Sequence, residues 1–219
     1  MNNAYSFIDY KQIVDILYEE HKKHTGKWLA NVGKTHYNLK KVQVRHICSS
    51  DPNNIDGFIE KDFLNYVDDY KLCLLSLYKD IVKRVEVEVG KKIGGRIKGD
   101  DSILLKLHRK RFDDNGSFPL NKYLNDLLGF RIIDKNYCNN MKELPQYIDK
   151  LKEQKQRFMH KHRENGNYKG YHIYFMGSDA KYFPMELQVW SADNERKNFE
   201  SHEIYKKDYT YWPEIYNKG

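Results

Sequence analysis

No run of about 18 consecutive apolar residues occurs in the chain, which excludes a membrane-crossing helix. Cysteine is scarce: Cys48, Cys73 and Cys138 are an odd set without a CxxC pair, which argues against a disulfide scaffold or a structural zinc site and suits a reducing, cytoplasmic setting. Proline is scarce too, with 5 in 219 residues, and there is no low-complexity linker or internal repeat. With 14% aromatic residues, 18 of them tyrosine, the chain does not read as disordered. The opening segment MNNAYSFIDYKQIVDIL carries Asp9, Lys11 and Asp15 where a signal peptide needs an apolar run. What the chain has in abundance is charge. The 38 Lys and Arg against 31 Asp and Glu leave a net +7, and mean hydropathy is −0.86. The length suits a medium domain with a buried core.

The positive excess is localised. Residues 81–111 hold ten Lys/Arg against four Asp/Glu, and residues 150–172 hold seven against two. Those islands sum to +11, so the remainder of the chain is −4. Two basic islands on a slightly acidic body point to phosphate-binding surfaces, with solvated helix faces as the plain alternative.

Ser6 with Asp9 three residues on forms a variant capping box, and Ile8, Ile13 and Leu17 then give a helical stripe to about residue 24. Residues 25–57 give no clear pattern. Phe63, Val67, Tyr70, Leu74, Leu77, Ile81 and Val85 recur at three or four and predict a long amphipathic helix over 58–89, stopped by Gly90. Beyond it, GGRIK reads as a short strand and SILLKLHRKR as a helix capped by Ser102. LLGFRIID reads as a buried strand, 140–157 as a helix, YHIYFM and FPMELQVW as a strand hairpin, and 194–207 as a closing helix. The pattern predicts an α+β fold with a mixed sheet flanked by helices, preceded by an N-terminal helical segment. It divides the chain into residues 1–89 and a domain at 90–219.

Several local signals are decoys. Gly33-Lys34-Thr35 ends like a P-loop, but Trp28 stands where the first glycine is needed. His46-x-Cys48 and His160-x-His162 lack a second ligand pair. The constellation that carries chemistry is acidic and basic together. Asp126 precedes an apolar strand, and Glu186 and Gln188, two apart, share one face of another. Carboxylates there are costly unless paired or metal-bound, and two of them suit Mg²⁺ with a phosphate, or simply nearby Lys and Arg. Arg96 and Lys98 alternate on one strand, while Lys106, Arg109 and Lys110 fall at i, i+3, i+4 on a helix opened by Ser102. That density of cations beside carboxylates suits a nucleoside triphosphate.

Five stretches in order, RIKGDDSILLK, NDLLGFRII, NGNYKGYHIYF, MELQVW and HEIYKK, resemble the RelA/SpoT-type alarmone synthetase domain over about residues 90–207. The resemblance implies a nucleotidyltransferase-like fold and an ATP-dependent pyrophosphokinase, in which a 3′-hydroxyl attacks the β-phosphorus of ATP and AMP leaves. It implies Arg96 and Arg131 on either side of the adenine, and Lys98, Ser102, Lys106 and Arg109 on the phosphates. Asp126 resembles the Mg²⁺ ligand, and Glu186 the second acidic residue that binds metal or activates the hydroxyl. Tyr168 falls at the tyrosine that stacks on the acceptor base, with Lys169 beside it and His172 four residues on; Gln188, His202, Tyr205 and Lys206 match further positions.

The departures lie at the acceptor side. Guanosine-alarmone enzymes usually read GYRSLH and EIQIRT where this chain has NYKGYH and ELQVWS, so Lys169, Gly170 and Tyr171 replace Arg-Ser-Leu and Trp190 replaces an Arg. The pattern is more similar to the toxic single-domain branch that pyrophosphorylates the 3′ CCA end of tRNA and is restrained by a proteinaceous antitoxin. Trp190 and Tyr171 are then candidates for stacking on bases, or for simple core packing. A GDP/GTP pyrophosphokinase is the alternative acceptor reading. A non-catalytic RNA-binding module is the alternative of another class, and it has no need of Asp126 and Glu186.

Overall fold

The computed structural model describes residues 4–30, 37–51, 53–54 and 57–201. Gly33-Lys34-Thr35, His202, Tyr205 and Lys206 lie outside the described residues. The capping box forms as the sequence predicts: the Ser6 amide donates to Asp9 Oδ2 at 2.8 Å and the Asp9 amide to Ser6 Oγ at 3.1 Å. It opens α1 (Phe7–Ala30), which runs past the expected end near residue 24. Helix α2 (Lys61–Arg84) buries the predicted stripe Phe63, Val67, Tyr70, Leu74, Leu77 and Ile81. A π turn, Val85–Val89, extends it to Gly90, whose left-handed φ of 68° ends the helix as expected.

The sheet has five strands in the order β1-β2-β5-β4-β3. They are β1 (Gly94–Ile97), β2 (Leu128–Asp134), β3 (Phe158–Asn165), β4 (Tyr168–Phe175) and β5 (Met185–Ser191). Only the β2–β5 pair is parallel; β1–β2, β5–β4 and β4–β3 are antiparallel. Helix α3 (Asp100–Phe112) follows β1 and α4 (Leu120–Tyr123) precedes β2. Helices α5 (Tyr137–Asn140) and α6 (Leu144–Glu153) join β2 to β3. Residues 195–201 begin the closing helix.

Three expectations are corrected. Ser102 does not cap α3: the helix starts at Asp100, with extended Gly99 at the cap. Two aspartates, Asp100 and Asp101, then occupy its first turn, and Asp100 pairs with Lys71, so that positive helix end is already compensated from within the chain. The helix expected over 140–157 is shorter, and β3 stands after it where no strand was read. β3 is an edge strand whose residues beyond Phe158 are mostly exposed, so FMHKHREN shows no apolar alternation to betray it.

Register assigns the two faces of the sheet. Phe130, Ile132, Leu187, Val189, Tyr171, Ile173 and Phe175 share one face and are buried in the core with α1 and α2 residues such as Tyr10, Leu17, Leu77 and Ile81. Arg96, Gly129, Arg131, Glu186, Gln188, His172 and Lys161 share the other. Gly95 lets α2 close on the core face, where Tyr78 stacks on Phe130 with ring centroids 5.8 Å apart. A Cβ at Gly95 would meet Phe130 Cδ1 at 2.7 Å and Tyr78 Cε2 at 2.8 Å. Gly95→Ala should therefore cost about 1–3 kcal/mol through overpacking, read as a lowered denaturation midpoint.

Candidate active site

Two carboxylates on the open face of the sheet meet in one cavity of about 340 Å³, together with Arg96, Arg131 and Gln188. Asp126 sits just before β2 and is flanked by two lysines. Lys98, just past the end of β1, donates from Nζ to Oδ2 at 2.7 Å, and Lys106 of α3 to Oδ1 at 3.1 Å. Burial alone would raise the Asp126 carboxyl, but the two ammonium groups outweigh it and hold it well below the usual carboxylate range. Burial draws the Lys106 ammonium below its ordinary value in spite of that partner.

Glu186 lies on β5 opposite Gly129 of β2. Its Oε1 is 2.7 Å from His172 Nδ1, and its Oε2 accepts from Gln188 Nε2 at 2.7 Å. Burial pushes this carboxyl up, yet the His172 and Gln188 hydrogen bonds win and leave it below its ordinary value. An ionised carboxylate only accepts, so the His172 Nδ1 that faces it carries a proton. The Tyr168 hydroxyl lies 2.6 Å from His172 Nε2 and accepts from Trp190 Nε1–H at 3.0 Å. Burial lifts the Tyr168 phenol to about 12, against the opposing Trp190 bond, so it remains a donor at neutral pH. On the other side, Arg131 donates from Nε and Nη2 to Gln188 Oε1 at 3.2 and 2.9 Å. Its guanidinium lies 3.6 Å over the Trp190 ring. The polar groups thus form a closed circuit: Trp190, Tyr168, His172, Glu186, Gln188, Arg131 and back to Trp190. Burial and the nearby Arg96 charge bring Arg131 down to about 10, which still leaves it a cation at neutral pH.

The structure therefore brings together Arg96, Lys98, Lys106, Asp126, Arg131, Tyr168, His172, Glu186 and Gln188 at or beside the cavity. Ser102 and Arg109 are exposed on α3 and do not line it. Lys169 is exposed and alternates away from Tyr168 and His172, with Nζ 3.6 Å from Glu164 Oε2. Tyr171 also faces away; it is buried in the core, with its hydroxyl 2.7 Å from His160 Nδ1. Trp190 is on the site face but has 0% exposure, so no part of it is open to a base. Both aromatics weighed for base stacking are thus packing residues.

Tyr5, Gly129, Ile133 and Phe199 also line the cavity and were not singled out from sequence. Gly129, a glycine inside a strand beside Arg131, carried a signal of close approach. Gly170 is a second such position, since a Cβ there would lie 2.9 Å from Trp190 Cδ1.

The model of the region found in RelA / SpoT proteins matches residues 95–210, which is 116 of the 219 residues. The chain belongs to the RelA/SpoT family. The matched RelA/SpoT region contains all the carboxylates, cations and aromatics of the circuit. Among solved structures, the small alarmone synthetase 1 from Bacillus subtilis is similar, with 20% identity and a TM-score of 0.40 over 64% of this chain and 80% of that one. No curated protein matches the chain. No helix among the described residues is long and apolar enough to cross a membrane.

The described residues contain no group of three or more His, Cys, Asp or Glu that could hold a metal. Mg²⁺ does not need one: it takes one or two carboxylates, with phosphate oxygens and water completing its shell. Asp126, partly buried, and Glu186, buried, are two hard-oxygen donors on one cavity and fit that ion. Each of their oxygens takes one of the hydrogen bonds described above, and a carboxylate oxygen can accept another.

Proposed function

We propose that this RelA/SpoT protein is an ATP-dependent pyrophosphokinase whose acceptor is the 3′-hydroxyl at the CCA end of tRNA. Family membership supports pyrophosphotransferase chemistry, and the observation that carries the reading is the Lys98–Asp126–Lys106 cluster facing Glu186 across one cavity. In the reaction, the acceptor hydroxyl gives up its proton to solvent and its oxygen bonds to the β-phosphorus of ATP, the bond from that phosphorus to the α,β-bridging oxygen breaks, and AMP departs with the bonding pair. Lys98 and Lys106 would exchange part of their contact with Asp126 for the triphosphate oxygens. Arg96 and Arg131 would hold the base. Mg²⁺, held by Asp126 and Glu186, would neutralise charge on the phosphates. A carboxyl held below its ordinary value is ionised at neutral pH, so it can accept a hydrogen bond but keeps a proton poorly. Glu186 is therefore suited to orient the 3′-hydroxyl rather than to store its proton.

The tRNA reading draws support from β3. Lys161 and Arg163 pair with His172 and Gly170, so they continue the site face from the acceptor side to the exposed sheet edge. An extended polyanion can use such a strip more fully than a single nucleotide can. In that role the protein would be a translation-inhibiting toxin, and a proteinaceous antitoxin is its expected partner. The test is ATP labelled at the β- or γ-phosphate, offered with deacylated tRNA or with GDP. Label on the tRNA 3′ end is expected; labelled guanosine product with untouched tRNA would replace the acceptor, and no transfer to either would remove the enzyme reading.

Reversing Lys161 and Arg163 to Glu should raise the KM for tRNA and reduce the log–log salt slope of tRNA binding by about 1–2, with ATP affinity unchanged. A tRNA salt dependence equal to that of the parent protein would assign the strip to something else.

A further inference from the structure

We propose that Trp190 is a positioning residue for both substrate subsites: its indole face backs the guanidinium of Arg131 and its N–H orients the hydroxyl of Tyr168. The proposal rests on the reading above, in which Arg131 holds the ATP base and Tyr168 meets the acceptor.

Arg131 is a long, rotamer-rich side chain that would lose freedom on stacking against a base. Here it is held in advance. Two in-plane bonds to Gln188 Oε1 fix its direction, and the Trp190 ring, 3.6 Å from Cζ, covers one face. A ligand base would meet the face turned away from Trp190, with the Phe199 ring centroid 5.5 Å from Cζ. Such preorganisation lowers the ordering cost of binding. Phe199 closes the arrangement from outside, edge-on to Trp190 with centroids 5.4 Å apart.

The same indole determines the hydrogen bonding of the acceptor side. Indole N–H only donates, so the Tyr168 hydroxyl accepts from it while lying 2.6 Å from His172 Nε2. His172 then gives its Nδ1 proton to Glu186. Without the indole N–H, the phenol loses the donor that fixes one of its lone pairs, and its orientation toward His172 is less constrained. Room for the indole comes from Gly170: a Cβ there would stand 2.9 Å from Trp190 Cδ1 and 3.0 Å from the Tyr168 hydroxyl. Gly170 and Trp190 are thus a matched pair, small against large.

Two substitutions separate the roles. Trp190→Leu removes both ring and N–H, while Trp190→Phe keeps a ring for Arg131 and loses only the N–H. Binding of α,β-methylene ATP is measured by calorimetry without acceptor, and KM and kcat are measured with deacylated tRNA and with GDP in parallel. Trp190→Leu should weaken the ATP analogue about tenfold, the scale of a desolvated cation–π contact, and should also raise the acceptor KM. Trp190→Phe should keep analogue affinity within about threefold while the acceptor KM rises about fivefold, the scale of one hydrogen bond. A thermal melt establishes that each variant is folded; if the leucine variant is not, the split within the phenylalanine variant decides alone. A folded leucine variant with parental analogue affinity, or a phenylalanine variant that loses ATP affinity while keeping its acceptor KM, overturns the proposal. Arg131→Ala tells this failure from that of the underlying reading. If it leaves analogue affinity unchanged, the ATP assignment itself falls; if it weakens binding while Trp190→Leu does not, only the positioning role falls.

Discussion

Asp126→Ala is expected to lower pyrophosphate transfer by about 10³-fold, the scale of removing one preorganised charge-stabilising group from an active site. It is also expected to destabilise the protein, because Asp126 is the counter-ion of two lysines with 11% and 20% of their side chains exposed. Removing the shared carboxylate leaves two partly buried ammonium groups facing each other, a change that costs about 3–5 kcal/mol where the pair is fully buried and less here, where water still reaches both lysines. The two effects can be separated by adding an anion. ATP in excess supplies negative charge to Lys98 and Lys106, so the variant's melting temperature should recover more on adding ATP than the parent's rises. A folded variant that transfers at the parental rate would remove Asp126 from the chemistry. The pH dependence gives a further check. The folded-state carboxyl is depressed, so the unfolded chain binds the extra proton as acid is added. The stabilisation is complete above the ordinary carboxylate pKa of about 4 and is lost as the pH falls from there toward the lower folded value. The stability gap between the parent and Asp126→Asn should therefore be widest near neutrality and narrow in acid.

Some of this site was legible in sequence because its residues sit on regular elements with simple periods. Glu186 and Gln188 are two apart on a strand, so their shared face follows from strand geometry alone. Asp126 stands out as a carboxylate beside an apolar run, and the geometry places Lys98 and Lys106 on its two oxygens. The helical stripe of α2 and its glycine stop were likewise local signals. What escaped was non-local or masked by charge. β3 carries no strand signal because an edge strand exposed on both faces need not alternate. For Trp190 the sequence leaves base stacking and core packing both open, because it does not say what covers a side chain; Arg131 and Phe199 pack on the ring, and the lack of a Cβ at Gly170 makes room for it. Ser102 suits a cap by residue type, whereas Gly99 supplies the extended backbone three residues earlier.

The buried carboxylate Asp134 is the least legible feature of all, and its loss is expected to have the largest effect on stability. It ends β2 with 0% exposure and accepts four hydrogen bonds. Tyr5 N at 3.0 Å and Asn136 N at 2.8 Å reach Oδ1; Tyr10 Oη at 2.9 Å and Asn140 Nδ2 at 2.8 Å reach Oδ2. Burial and the adjoining carboxylate push the Tyr10 phenol well above its ordinary value, so it stays a donor at any accessible pH. Asp134→Ala leaves these donors unpaired in the core at about 1–3 kcal/mol each, and after partial relaxation the loss should reach about 4–5 kcal/mol. Equilibrium denaturation measures it. Tyr10→Phe removes one donor and should cost about 1 kcal/mol in the parent but almost nothing on top of Asp134→Ala, because the partner is already gone. Additive costs in that cycle would mean the four bonds do not act as one knot. The knot also reaches function. It pins the segment entering α1, whose Tyr5 lines the cavity and donates from its hydroxyl to Lys92 O at 2.8 Å. Asp134→Ala, at temperatures where it remains folded, should therefore bind α,β-methylene ATP more weakly than the parent although Asp134 is not itself a cavity residue. Parental affinity in that variant would mean that the N-terminal wall contributes nothing to nucleotide binding.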